Sequence, residues 1–317
     1  MKSHYSTDHF PRVSVIMSVY NAEPYLAEAI ESILSQTFAD LEFLIHDDGS
    51  TDGSPAILRH YVERDDRIVV SAGANEGLAA ALNRLIEAAR GDLLARMDAD
   101  DVCLPDRFSK QVEYLDRNQD CVVVGGCVTT TDGHGRSIAR LMVPSDHMSI
   151  DTNNLRGIVS VSHPTVMMRR EAVIRCGGYY PTFKSSQDLD LWLRMAEIGR
   201  LANLPDVVLK YRIHDSSISG SKQDLQRQMC RRACEAAWVR RGLTDMSFEY
   251  GDWRMADTAE SRRAFYLRYG WQAWSHGYRD TWRHYALRSV VMAPLSADAW
   301  KLLVAGALKR PQTNAPP

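Results

Sequence analysis

The 317-residue sequence lacks the phosphate loops that usually explain an α/β chain of this size. Its first apolar run ends in Tyr20-Asn21-Ala22-Glu23-Pro24, with no Gly-x-Gly-x-x-Gly, which argues against a dinucleotide fold. A Gly-x-x-x-x-Gly-Lys stretch is absent as well, which argues against a P-loop nucleotidase. The six cysteines show no paired metal spacing, and Cys230 and Cys234 sit four apart in a helical pattern, unlike a zinc knuckle. No secretory leader is recognisable at the start, so the thiols are expected to be reduced and the chain cytoplasmic. No run of 18 apolar residues occurs, so no membrane span is expected. A formal net charge of -2 forces no basic face, so nucleic acid is not an expected partner. Without a Ser-His-Asp pattern, no covalent nucleophile is indicated either.

Carboxylates are present in its place. Arg96-Met97-Asp98-Ala99-Asp100-Asp101 sets three acids within four residues, directly after the apolar-rich run 92–95. Such crowding is repulsive unless a hard divalent cation, Mg²⁺ or Mn²⁺, sits among the oxygens. The alternative is an acidic loop capping the helix that follows. Placement along the chain decides between them. Residues 13–19 and 41–46 read as strands buried on both faces, and a third short strand is expected at 67–71. Helices are expected between them, one after Asn21 as cap, one opened by Pro55 and one from Leu78 to about Ala89. Alternating strand and helix predicts a doubly wound, mostly parallel sheet. Right-handed crossovers then bring Tyr20-Asn21, Asp47-Asp48 and Asp98 to Asp101 to one carboxyl edge, where open α/β sheets bind ligands. Independent helix caps need not converge in this way, so the metal reading gains.

Downstream, a helix is expected at 105–117, a hairpin at 122–143, a strand through His163-Pro164-Thr165, a helix from Gln187 and a strand at 207–213. Eight segments in one order resemble the inverting, family 2 nucleotide-sugar glycosyltransferases of GT-A fold. They are residues 15–21, 32–38, 47–52, 75–78 and 96–101, then His163-Pro164-Thr165, Asp188 with Leu191-Trp192-Leu193-Arg194, and Tyr211-Arg212-x-His214.

The resemblance implies a UDP-sugar donor, Mn²⁺ or Mg²⁺, and a glycan or lipid-linked acceptor. It places the nucleotide against Tyr20, Asn21, Asp47, Asp48, Asn75, Gly77, Arg96 and Asp98, with Asp48 accepting from the uracil imide. Asp100 falls where the family binds its metal directly, with Asp98 beside it on the ribose or a metal-bound water, and His214 is a further ligand candidate. Asp188 matches the general base that takes the acceptor proton in a single displacement. His163, Gln187 and Trp192 are expected to wall the donor and acceptor pocket. The family commonly carries Glu where Gln187 stands. Asp101 reads equally as a support of the metal site or a helix cap, Asp190 reads as a complement to the helix dipole, and Arg96 reads as a partner of phosphate or, preferably, of the acids. Two rivals remain: a sugar nucleotidyltransferase, and an inactive nucleotide-binding subunit that recruits partners.

The expected organisation is a lead-in at 1–11, a catalytic domain at 12–219, helices at 220–308 and a tail at 309–317. Six of the seven tryptophans lie in that helical third, interleaved with arginine and tyrosine. A small bundle with tryptophan in its core is the simpler reading, and a basic, aromatic face in peripheral contact with the inner side of the cell membrane is the other.

Overall fold

The computed structural model describes residues 10–213, 223–250 and 259–308. Its central strand β1 (Val13–Val19) is buried along nearly its whole length, as its unbroken apolar character demands. It pairs in parallel with β2 (Leu41–Asp47) on one side and β4 (Leu93–Asp98) on the other, while β3 (Ile68–Ala72) continues the parallel set beyond β2. The crossovers are α1 (Leu26–Leu34), α2 (Ser54–Val62) and α3 (Leu78–Ala88), each near its expected place.

Beyond β4 the sheet turns antiparallel. It continues through β8 (Met167–Arg169) and β6 (Cys121–Asp132) to β9 (Arg200–Ile213) and the two-residue β5 (Val102–Cys103), and β7 (Ser137–Leu141) pairs with β6. Four features differ from the expectation. The stretch at 163–169 opens as a 3-10 turn, His163–Thr165, before β8 begins. Strand β9 starts at Arg200, seven residues early by the sequence pattern. Two short helices, α5 (His147–Leu155) and α6 (Arg170–Arg175), carry too few apolar repeats to be periodic. Helices α4 (Arg107–Arg117) and α7 (Gln187–Met195) form where expected.

Two compact units result, and their boundary does not follow chain order. The first comprises residues 1–127, 143–209 and 226–250, and the second 128–142, 210–225 and 251–317. The expected break at 219 is therefore displaced. Helix α8 (Gln223–Arg241) belongs mainly to the first unit, because Cys230, Ala233, Cys234 and Ala237 bury against Leu155, Phe183, Leu189 and Leu193. In the second unit α9 (Ala259–Ser275), α10 (Arg279–Met292) and α11 (Ala297–Leu308) form the helical group, with Ile138 and Ala139 of β7 packed on Tyr269 and Tyr285. Gly270 permits close approach of α9 and α11, since a Cβ there would lie 2.4 Å from a Leu302 methyl.

One buried cation ties the parallel half of the sheet to its antiparallel half. Arg107, the first residue of α4, is wholly buried. Its guanidinium donates to Arg96 O at 2.9 Å, Pro164 O at 2.8 Å, Val166 O at 3.1 Å and Gln111 Oε1 at 3.0 Å. Gln111, one turn on, donates to Thr165 O at 2.7 Å and Val124 O at 3.0 Å. The pair thus replaces strand pairing where the 3-10 turn interrupts it. We expect Arg107→Met to lower stability in urea unfolding by about 3 kcal/mol, because buried carbonyls lose their donors. Arg107→Lys should recover only part of that, since an ammonium cannot reproduce the planar fork.

Candidate active site

The strand register builds the site. Val19 lies opposite Asp47, and Ser18 opposite Asp98, so the chain leaves β1, β2 and β4 on one edge of the sheet. Tyr20 is exposed there. Asn21 does not cap α1, which begins at Leu26. It adopts a left-handed φ of 50° and joins two loops: its Oδ1 accepts from Thr51 N at 2.8 Å, and its own N–H donates to Ser50 Oγ at 3.0 Å. Asp47 accepts from Ser50 N, three residues on, at 2.9 Å. Asp48 is 3% exposed, and its two oxygens accept from Glu76 N at 2.8 Å and Gly77 N at 2.9 Å. Each oxygen keeps one lone pair, so a further donor can still be accommodated. Gly49 is required between these acids and the next loop. Its φ is +81°, and a Cβ would stand 3.0 Å from Asn75 N. Asn75 is exposed on the far side of this clamp, and Gly77 holds a φ of +91°.

Asp98 ends β4 instead of opening a loop, so Arg96, two residues earlier, shares its face of the strand. The guanidinium grips both Asp98 oxygens, so Arg96 meets the acids in this structure. Asp98, Asp100 and Asp101 each turn an oxygen inward, and these oxygens all lie within 4.8 Å of one another. Burial raises the Asp98 carboxyl above its usual range, Arg96 opposes the rise, and Asp100 and Asp188 add to it. Three hard oxygen donors converging within 4.8 Å, in mutual repulsion, fit a divalent cation.

Asp188 comes from the other half of the first unit. It stands in the first turn of α7, half-buried, next to the half-buried Gln187. Ser186 before it has a left-handed φ of 55°. Among the described residues, Asn21 and Ser186 alone combine a side chain with positive φ, and both flank this site, where such strain is commonly held. Asp188 lies near enough to raise the Asp98 carboxyl and the buried Tyr179 hydroxyl.

Two of the expected pocket walls are buried instead. His163 shares a 2.8 Å hydrogen bond with Tyr179 Oη and meets the Trp192 ring edge-on, with centroids 5.9 Å apart. Trp192 is 0% exposed within the main core. Position 192 lies on the inner face of α7, so the indole supports the site from beneath. Asp190 is likewise more than a dipole complement, because it forms a buried pair with Arg194, whose guanidinium stacks on Tyr180 at 3.9 Å. His214 lies outside the described residues.

With this geometry in view, the sequence matches the family model described as Glycosyl transferase family 2 over residues 14–178. The chain belongs to glycosyl transferase family 2. The O-antigen biosynthesis glycosyltransferase WbnJ of Escherichia coli is 34% identical over 217 residues, which cover 66% of this chain and 82% of that protein. Among solved structures, TarS 1-349 of S. aureus in complex with UDP aligns with a TM-score of 0.58 at 18% identity, covering 93% of this chain and 78% of that one. The mannosyltransferase PcManGT of Pyrobaculum calidifontis, in complex with GDP-Man and Mn2+, aligns with a TM-score of 0.55 at 19% identity over 95% of this chain and 80% of that one. The glycosyltransferase therefore has the expected GT-A fold with helices following it, and the nucleotidyltransferase reading is set aside.

Sequence reasoning missed Arg107, Gln111, Tyr179 and Asn83. Asn83 clamps Tyr179 through both main-chain groups, at 2.7 and 2.9 Å. The Gly177-Gly178 pair, with φ of 78° and 66°, was the available signal that the Tyr179 backbone is held in a special place. Burial, and then the Arg96 charge, hold the His163 imidazole well below its ordinary pKa of 6.5. The folded glycosyltransferase thus keeps His163 neutral. Below about pH 6.5 the unfolded chain gains a proton that the folded one refuses, so stability falls with pH. We expect His163→Gln to flatten the decline in melting temperature between about pH 7 and about pH 5, as read by calorimetry.

Proposed function

We propose that the chain moves a sugar from a UDP-sugar to a hydroxyl of a cell-surface glycan or lipid-linked oligosaccharide, with inversion, at the cytoplasmic side of the cell membrane. The observation that carries this reading is the pairing of an acidic, cation-suited edge at Asp98, Asp100 and Asp101 with a separate carboxylate, Asp188, within its electrostatic reach. An inverting transfer needs those two functions in different groups: one set of residues holds the leaving diphosphate, and another takes a proton.

In this scheme the acceptor oxygen attacks the anomeric carbon while Asp188 removes its proton. The carbon–phosphate oxygen bond breaks, and UDP departs with the electron pair. A divalent cation bound at the acidic edge supplies positive charge to that diphosphate. Asp100 is the residue we assign as its main ligand, because the Asp98 charge is shared with Arg96. The nucleoside lies between Tyr20 and Asn75, with the uracil imide directed at the remaining lone pairs of Asp48. The backbone clamp on Asp48 supports this, since it fixes the carboxylate before the base arrives. WbnJ is named for O-antigen biosynthesis, and PcManGT is in complex with GDP-Man and Mn2+, which supports an envelope glycan as acceptor and a metal-dependent donor site.

Asp188→Asn separates the roles. It should lower kcat, measured as UDP release with Mn²⁺, by about 10²- to 10⁴-fold and leave the affinity for UDP-sugar nearly unchanged. Retention of the wild-type rate would remove Asp188 as the base. Asp100→Ala should abolish the Mn²⁺-dependent rise in melting temperature that UDP confers on the wild type. An unchanged rise would place the metal elsewhere.

A further inference from the structure

The second unit closes its own core and still leaves apolar side chains outside it. On α10 the inner face is Thr281, Trp282, Tyr285, Ala286 and Ser289, all buried. Its polar atoms are served from within: Trp282 Nε1 donates to Leu302 O at 3.1 Å, and Ser289 Oγ to Tyr285 O at 2.8 Å. The outer face carries Leu287, Val291 and Met292. The chain then turns through Pro294-Leu295-Ser296 into α11, which presents Trp300 and Val304. Leu295 is 98% exposed and Val291 80%. Trp300 Nε1 donates to Pro294 O at 2.8 Å, which holds the half-exposed indole against the turn. The most exposed apolar groups therefore gather at the α10–α11 tip.

Charge surrounds this tip asymmetrically. Residues 259–308 hold seven Arg or Lys against three Asp or Glu, a net of +4, whereas the whole chain carries -2. Arg288, in the last turns of α10, and Lys301, early in α11, are exposed near the tip, and Arg288 rests on Tyr266 with its ring 5.8 Å away. The acidic contact at this end is open to water: Lys301 to Asp298 at 3.1 Å, with both side chains 70% exposed. Exposed pairs of this kind leave the cationic field available.

We propose that the α10–α11 tip docks the protein on an anionic lipid surface, with Val291, Leu295 and Trp300 entering the headgroup boundary. Exposed apolar side chains on a segment of net charge +4 suit that occupant, whose headgroups carry the opposite charge. A tryptophan with one polar end tied down and its ring exposed is the usual interfacial anchor. Among the described residues no helix is long and apolar enough to cross a membrane, so the contact is peripheral. This inference stands apart from the sugar-transfer chemistry.

The test is flotation of the full chain with extruded vesicles of phosphatidylglycerol and phosphatidylcholine, compared with phosphatidylcholine alone. The expected result is binding to the anionic vesicles only, weakened by high salt, and at least about tenfold weaker for a Val291→Glu/Leu295→Glu double variant. Both positions lie outside the core, so circular dichroism, melting temperature and UDP binding of the variant should match the wild type. Failure of the wild type to float with anionic vesicles overturns the proposal, as does equal flotation of the variant. If the substitutions change sedimentation from dimer to monomer and vesicles bind neither protein, the tip is a self-association face and the lipid assignment is wrong.

Discussion

The constraint on which the first unit depends is the crowding of carboxylates at one sheet edge. Parallel pairing of β1 with β2 and β4 leaves no alternative, because Val19, Asp47 and Asp98 end their strands side by side. That much negative charge would open the loops unless donors met it. Asp47 takes the Ser50 amide, Asp48 takes two amides from the loop before α3, and Asp52 takes the amides of Glu23 and Ser54. Asp98 takes a guanidinium. Backbone donors thus serve one side of the edge and a buried cation the other, and at Asp98, Asp100 and Asp101 three carboxylates converge in the arrangement that suits a divalent cation.

The second half of that unit is organised to deliver Asp188 to this edge. Arg107 and Gln111 pin the 3-10 turn at His163, which rests on Tyr179 and Trp192. Asn83 fixes Tyr179 from the opposite side, through α3. The chain then reaches the strained Ser186 and enters α7 with Asp188 in its first turn. A neutral His163 beneath Arg96 adds no second charge to the buried layer. The rigidity of the proposed base therefore derives from buried groups that touch no substrate, which is how precise placement is usually achieved.

The comparison of sequence with structure divides along the range of the interactions. Strands β1, β2 and β4 were legible because a strand covered on both faces must be apolar throughout, and the acids after them were legible because topology alone puts them on one edge. Helix α7 was legible through the acids of its first turn. By contrast, α5 has little apolar periodicity, β5 is two residues long, and the 3-10 turn is held by side chains from α4. None of these leaves a local trace.

What the sequence by itself determined is the parallel half of the sheet and the acidic edge, since both follow from short-range pattern and chain direction, while the candidate base at Asp188 came from the family resemblance. Tertiary structure decided the rest. It assigned Arg96 to Asp98, sent Trp192 and His163 below the surface, and placed most of α8 in the first unit. It also left Leu295 outside every core. Burial and partner choice are properties of contacts between distant segments, and a residue's neighbours along the chain do not encode them.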